Sequence, residues 1–438
     1  MILLQEKSNC CGCEACVQVC PKHCIDFLQD NEGFFYPKVN VEACINCGLC
    51  DKVCPILNVY EEHKPQEVLA AVNKNDIVRS ESSSGGIFTV LSSDIISSGG
   101  AVFGVRFNER WQAVFDYADT IDKVAAFRGS KYLQARIGNS FTQCKTLLDT
   151  GRMVLFSGTP CQIAALNHFL RKPYSNLLTV DFICHGVPSP KVWNQYLEEV
   201  IDAGKNAISD VKFRNKKNGL ASFGLSLGYD KKNKILSLCS PITKNAFMKA
   251  FLTNLILRPS CHFCPAKNGR SHSDITIADF WGIDKIAPEI DDDKGTSLVM
   301  IHTEKGAKLW ERNDFKWVKT RYEDVLIYNP CVAKSAKPHF NREKFFCGFS
   351  NEVNLHKLIS DCLRPTIKQR LNRIIRLPFS VVNKLLLHQP NVSVKNENTS
   401  DLACHNLSKM KIGDVNFRNK LHGWKRYQLV IKFYNFPS

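Results

Sequence analysis

The chain of 438 residues has no uninterrupted apolar run approaching the roughly 18–20 residues that span a bilayer. Its opening stretch, "MILLQEK", offers four apolar side chains before Gln5, Glu6 and Lys7, too few for the apolar segment of a secretory leader. Neither a membrane-spanning nor a secreted protein is expected, and the sequence points to a soluble cytoplasmic chain whose thiols stay reduced. No recognised reader motif accompanies its positive charge, so a nucleic-acid partner is not expected either. Cysteine, in contrast, is abundant, with twenty in all. A chain of this length with 44% hydrophobic residues can bury cores in two or three domains and needs no disulfide staples. Clustered cysteines in such a protein mean metal or redox chemistry.

Their spacing selects the metal. Cys10, Cys13, Cys16 and Cys20, followed by Pro21, read C-x2-C-x2-C-x3-C-P; Cys44, Cys47, Cys50 and Cys54, followed by Pro55, repeat it 34 residues later. This is the bacterial ferredoxin pattern, in which three cysteines of a run hold one 4Fe-4S cubane and the fourth crosses to the other. One cluster then takes Cys10, Cys13, Cys16 and Cys54, and the second takes Cys44, Cys47, Cys50 and Cys20. Zinc ribbons use separated C-x2-C pairs and require neither the third cysteine nor the proline. Cys11 and Cys24 fall outside the register and read as small, partly buried thiols beside the clusters. Between the runs, "GFFYPKVNVEA" has the content of a short strand or hairpin.

After the polar link "EEHKPQE", strands alternate with helices. "MVLFSGTPCQIAAL" is an apolar strand, a turn and a helix whose start carries Thr159 as N-cap, Pro160 at the first position and Gln162 completing a capping box. "LLTVDFICHG", "DITIADFWG" and "SLVMIH" are further strands. The alternation predicts a largely parallel sheet covered on both faces, with ligands beyond the carboxyl ends of its strands. Cys161 and Cys184 fall on those turns, and Cys261 with Cys264 form a C-x2-C pair in "RPSCHFCPAK". Four thiolates suffice for a third cubane; by spacing alone the pair could equally bind zinc, and the single cysteines could be core residues.

The ordered motifs "SSSGGIFTVL", "FRGSKYLQ", "FSGTPCQIAAL", "ICHGVPSP", "RPSCHFCPAKNGRSHSDITIADFWG" and "KGTSLVMIHT" resemble the family of β subunits of coenzyme F420 hydrogenases and dehydrogenases from about residue 68 to about 305. The resemblance implies an FAD-binding α/β domain with a third 4Fe-4S cluster on Cys161, Cys184, Cys261 and Cys264. It implies electron exchange between clusters, flavin and a soluble two-electron carrier or substrate, and a redox partner protein such as a ferredoxin or another oxidoreductase subunit. Ser83, Ser84, Gly85 and Gly86 precede a helical pattern, where an anion such as the FAD pyrophosphate is held. Gly129, Ser130, Lys131 and Tyr132, with Gly158, Thr159 and Pro160, are the other expected flavin contacts. Asp279, at a strand end beside Trp281, is the one carboxylate of note; capping or an Asx-turn would also explain it.

The expected architecture is thus an α+β ferredoxin-like double-cluster module (1–60), then an α/β flavin-binding iron–sulfur domain (66–345, dividing near 148), then a basic C-terminal extension (346–438). From Arg364 onward, fourteen Lys and Arg face three Asp and Glu, which supplies +11 of the chain's +16. There Ile367, Leu371, Ile374 and Ile375 recur at helical spacing, with Lys368, Arg370, Arg373 and Arg376 largely elsewhere on the wheel. Such a helix packs on its own domain or lies peripherally on the inner face of an anionic membrane. The sequence therefore predicts a flavin-dependent iron–sulfur oxidoreductase. The other reading is a non-catalytic electron-transfer or membrane-docking subunit of a larger complex.

Overall fold

Two short strands separate the cysteine runs. In the computed structural model, which describes residues 1–365 apart from 203–205, 218, 221, 232–233 and 309–313, β1 (Ile25–Gln29) and β2 (Phe35–Val39) pair antiparallel with Ile25 opposite Val39. The aromatic stretch thus does form one arm of a hairpin. Short helices at Ala15–Val19 and Leu49–Lys52 carry the cysteines on either side.

The body is an eight-stranded sheet. Its strands are β3 (Glu67–Asn73), β4 (Ala101–Phe107), β5 (Ala113–Ala118), β6 (Val154–Gly158), β7 (Leu177–Phe182), then β11 (Ile275–Asp279), β12 (Ser297–Ile301) and β13 (Phe315–Thr320). The remaining three, β8 (Ala207–Asn215), β9 (Gly224–Lys231) and β10 (Lys234–Pro241), form a separate antiparallel sheet. The large sheet runs β13-β3-β12-β11-β7-β6-β4-β5. Its centre, β4, β6, β7 and β11, is parallel. These strands are apolar on both faces: in β6, Val154 and Phe156 join one core layer while Leu155 joins the other.

The edges are antiparallel, so the sheet is mixed, and the largely parallel expectation holds at its centre. On one side β5 returns to β4 through the turn Asn108–Gln112, too short for a crossover. On the other, β12, β3 and β13 alternate in direction. The helix after β6, Pro160–Leu170, starts with the capping box read from the sequence: Thr159 N–H donates to Gln162 Oε1 at 2.9 Å.

The ferredoxin-like module is fastened to the body by buried polar groups. Arg258, fully buried, donates to the carbonyls of Cys10 (2.8 Å) and Phe35 (2.9 Å) and to Gln134 Oε1, with its guanidinium 4.2 Å from the Tyr36 ring centroid. Glu14 accepts from Arg136 Nε at 2.7 Å and from the Ile137 amide at 2.9 Å. The link is fastened too: the Tyr60 ring stacks between His168 (4.2 Å) and His272 (4.4 Å), and the His63 amide donates to Asn268.

Helices Arg342–Gly348 and Leu355–Leu363 bury Phe345, Phe349, Leu355, Ile359 and Cys362 in the same core as the sheet. The body therefore continues past residue 345 to Leu363, because the apolar face of these helices has its cover there. The amphipathic stripe from Ile367 onward lies outside the described residues. Among the described residues no helix is long and apolar enough to cross a membrane.

Candidate functional site

The structure gathers the N-terminal cysteines into two groups. Burial pushes the Cys16 thiol up, and the nearness of Cys10 and Cys54 pushes it further; Cys13 in turn feels Cys16 and Cys54. The second group lines a small cavity made by Cys20, Cys44, Cys47 and Cys50. Each group holds three cysteines of one run and the last of the other, the crossed arrangement. Cys24 lies in the second cavity, its sulfur 3.4 Å from that of Cys20. The Ile2 amide donates to Cys50 Sγ at 3.2 Å, the kind of contact that tunes a cluster.

A third cavity holds Cys161, Cys184, Cys261 and Cys264, with Cys11 at its wall. Sheet topology brings them together: Cys161 follows β6, Cys184 follows β7, and the pair lies on the 3-10 turn Pro259–Phe263 and just after it. Burial, with neighbouring cysteines adding to it, pushes the Cys261 thiol to about 12 and Cys264 to about 11. A thiol contact to Cys11, followed by burial, pushes Cys161 well up. Cys11 contacts both Cys13 and Cys161, so it stands between the first and third groups.

Beside this cavity opens an apolar cleft of about 520 Å³, within the range of small-molecule sites. Ser83, Ser84, Gly86, Gly129, Ser130, Lys131, Tyr132, Gly158 and Thr159 line it. Two of the expected loops touch, Ser83 Oγ to Ser130 Oγ at 2.8 Å. Gly86, with φ of 81°, is the N-cap of helix Ile87–Ser97, whose first residues, Ile87 and Phe88, line the cleft. Gly85 and Pro160 lie off the cleft. Gly85 runs against β3, where a Cβ would come 2.4 Å from the Ala71 carbonyl, and Pro160 faces the cysteine cavity.

Lys131 is not a free cation. Its amine donates to the carbonyls of Arg128 (2.9 Å), Ala126 (3.0 Å) and Gly129 (3.3 Å), and burial pulls it down to about 7. The Tyr132 ring is stacked on Phe251, 5.0 Å between centroids.

Sequence reading missed Arg214, which carries no motif. It reaches the cleft from β8, with its side chain 3% exposed, and pairs through Nη1 with Asp279 Oδ2. Asp279 is therefore a partner of Arg214; the cap of the following short helix is Gly282. Also missed are Cys331 and His185, whose Sγ and Nδ1 lie 3.8 Å apart at the cleft wall.

Residues 9–57 match the model of the 4Fe-4S dicluster domain, and residues 151–320 match that of the C terminus of the coenzyme F420 hydrogenase/dehydrogenase β subunit. The chain is 36% identical over 62 residues to a 7Fe ferredoxin of Hydrogenibacillus schlegelii, covering 14% of this chain and 73% of that protein. It is 23% identical over 165 residues to the F subunit of the F420H2 dehydrogenase of Methanosarcina mazei, covering 36% of this chain and 47% of that one. It thus spans about half the length of that relative. A chain of the F420-reducing [NiFe] hydrogenase complex from Methanosarcina barkeri superimposes with a TM-score of 0.40 at 16% identity, over 72% of this chain and 92% of that one. The protein thus joins an N-terminal ferredoxin-type 4Fe-4S dicluster domain to a domain that matches the C terminus of coenzyme F420 hydrogenase/dehydrogenase β subunits.

Proposed function

We propose that the protein is an iron–sulfur flavoprotein oxidoreductase that passes electrons between 4Fe-4S clusters, FAD and a soluble two-electron partner. The observation that carries this reading is adjacency. The third cysteine cavity and the cleft share Thr159, Gln162, Cys184, His185, Gly186 and Val187 as one wall. On the other side of the cavity, Cys11 touches Cys161 and Cys13, so groups bound in sequence would lie in one line from the ferredoxin module to the cleft.

Clusters supply one-electron steps and a flavin two-electron ones, which is why such a line needs both. Cys161, Cys184, Cys261 and Cys264 hold the third cluster in this reading, and the Val187 amide, 3.4 Å from Cys261 Sγ, supports it. Ser83, Ser84 and Gly86 hold the pyrophosphate at the helix N-terminus. Gly129 to Tyr132 and Gly158 to Thr159 bound the ring. Lys216 keeps the serine loop in place through carbonyl bonds at Ser84 (3.0 Å) and Arg79 (2.9 Å). Coenzyme F420, the substrate in the names of the relatives, is the two-electron partner to try first.

Anaerobically reconstituted protein is expected to hold about twelve iron and twelve sulfide per chain and acid-releasable FAD. About eight iron would remove the third cluster. A folded chain that takes up neither FAD nor FMN would leave a non-catalytic electron-transfer role.

A further inference from the structure

Resting on the flavin reading of the cleft, we infer that Arg214 and Asp279 together read the pyrimidinedione edge of a flavin-type ring. Arg214 uses only Nη1 on Asp279; Tyr132 lies near enough to act on its guanidinium, but its Nε and Nη2 make no hydrogen bond of normal geometry among the described residues, and neither does Asp279 Oδ1. All three atoms are buried, and both residues line the cleft. A buried donor or acceptor left unsatisfied destabilises the fold, so three beside one cavity mark a place that a ligand completes.

The pattern identifies the ligand. Nε–H and Nη2–H form one edge of the guanidinium and present two parallel donors, while an ionised carboxylate oxygen presents an acceptor. Donor, donor, acceptor is the complement of N1, C2=O and N3–H on a flavin ring. A diphosphate offers acceptors only and leaves Asp279 Oδ1 empty. Asp279 also cancels the Arg214 charge, so the pair carries no surplus for a phosphate. The surroundings suit a flat ring: the guanidinium lies 4.5 Å from the Phe223 centroid and 5.9 Å from that of Trp281.

A consequence for redox poise follows. A flavin bound there, if reduced by hydride from its two-electron partner, would carry the negative charge of its reduced form along the N1–C2=O edge. A cation there favours the reduced form and an anion opposes it. The pyrimidinedione edge belongs to the resident flavin and to a deazaflavin partner alike, and the experiment separates them.

Full-length protein carrying Arg214→Gln, Arg214→Lys or Asp279→Asn is compared with the parent for FAD affinity, flavin midpoint potential and binding of a free 5-deazaflavin to the FAD-loaded form; retained iron shows that each variant is folded. If the resident ring is read, Arg214→Gln weakens FAD at least tenfold and lowers the potential, Asp279→Asn raises it, and Arg214→Lys keeps the potential near the parent while losing affinity. If the incoming ring is read, FAD affinity and potential stay put and deazaflavin binding falls at least tenfold. A parent that binds FAD, with variants altering neither ring, overturns the inference and leaves the flavin reading standing. A folded parent that binds no flavin-type ring overturns both.

Discussion

The N-terminal module and the cleft domain solve the same problem, bringing four sulfurs together, by opposite means. In the module, the cysteines lie between Cys10 and Cys54, most of them on short segments whose local turns set their spacing. At the cleft, they come from the ends of β6 and β7 and from a turn some eighty residues further on, and only the sheet unites them. The first arrangement is written into the chain at short range and the second depends on the whole fold. A motif is therefore a sign of local assembly, and its absence says little about a site that topology assembles.

That contrast can be broken by removing ligands from either side. Changing Cys261 and Cys264 to Ser should remove about four of about twelve iron, while the signals of the N-terminal clusters persist in electron paramagnetic resonance. Changing Cys47 to Ser should remove a similar amount from the module and leave the cleft side loaded. Equal loss of all iron in both variants would show that the two parts do not assemble independently.

The joint between them comes next. Arg258→Met leaves the carbonyls of Cys10 and Phe35 and the amide oxygen of Gln134 without their donor. Leaving a buried acceptor without its donor costs about 1–3 kcal/mol each. The apparent melting temperature should fall, and protease should cut first near the link around residue 60. Glu14→Gln is milder. Arg136 is part-exposed, so the charge is screened, and about 1–2 kcal/mol is the expected loss.

The smallest effect is a pH slope in the sheet itself. Burial pushes Asp181 up to about 6, against hydrogen bonds from Ser271, Thr276 and Ser273 and the charge of Lys267. Burial, with His63 nearby, pulls His302 down to about 4; Thr276 Oγ touches both side chains. The raised Asp181 contributes stability at low pH that is lost as pH rises through about 6. The depressed His302 contributes stability above its ordinary range that is lost as pH falls toward about 4. Between pH 4 and 6 the two oppose each other. Asp181→Asn removes one, so thermal stability should drop more steeply than in the parent as pH falls from 6 to 4, by on the order of 1 kcal/mol per pH unit. An unchanged slope would show that these two groups do not govern it.

The same contrast explains what the sequence made legible. The doubled cysteine run, the hairpin between its halves and the Thr159 capping box are local patterns and were readable. The central strands were readable from continuous apolar runs such as Met153 to Phe156. The antiparallel edges were not, because strand direction is set by connection length and pairing, which periodicity does not report. The small sheet went unseen since β10 is exposed at nearly every position and shows no buried face. Arg214 and Arg258 went unseen for another reason. A buried arginine is recognisable only by its partners, and those lie far off in the chain, at Asp279 for one and at Cys10 and Phe35 for the other.

The stacked Tyr60, held between two histidines, bears on how current moves. A redox module on a free tether would act as a swinging arm, and its internal transfer would slow as solvent viscosity rose. Clasped at Tyr60 and His63 and keyed by Arg258, this one is instead a fixed terminal, so transfer within the chain should be indifferent to viscosity. Contact with anything arriving from solution would still be diffusive, and at the Cys47 end of the module both Cys47 and Ile45 are exposed.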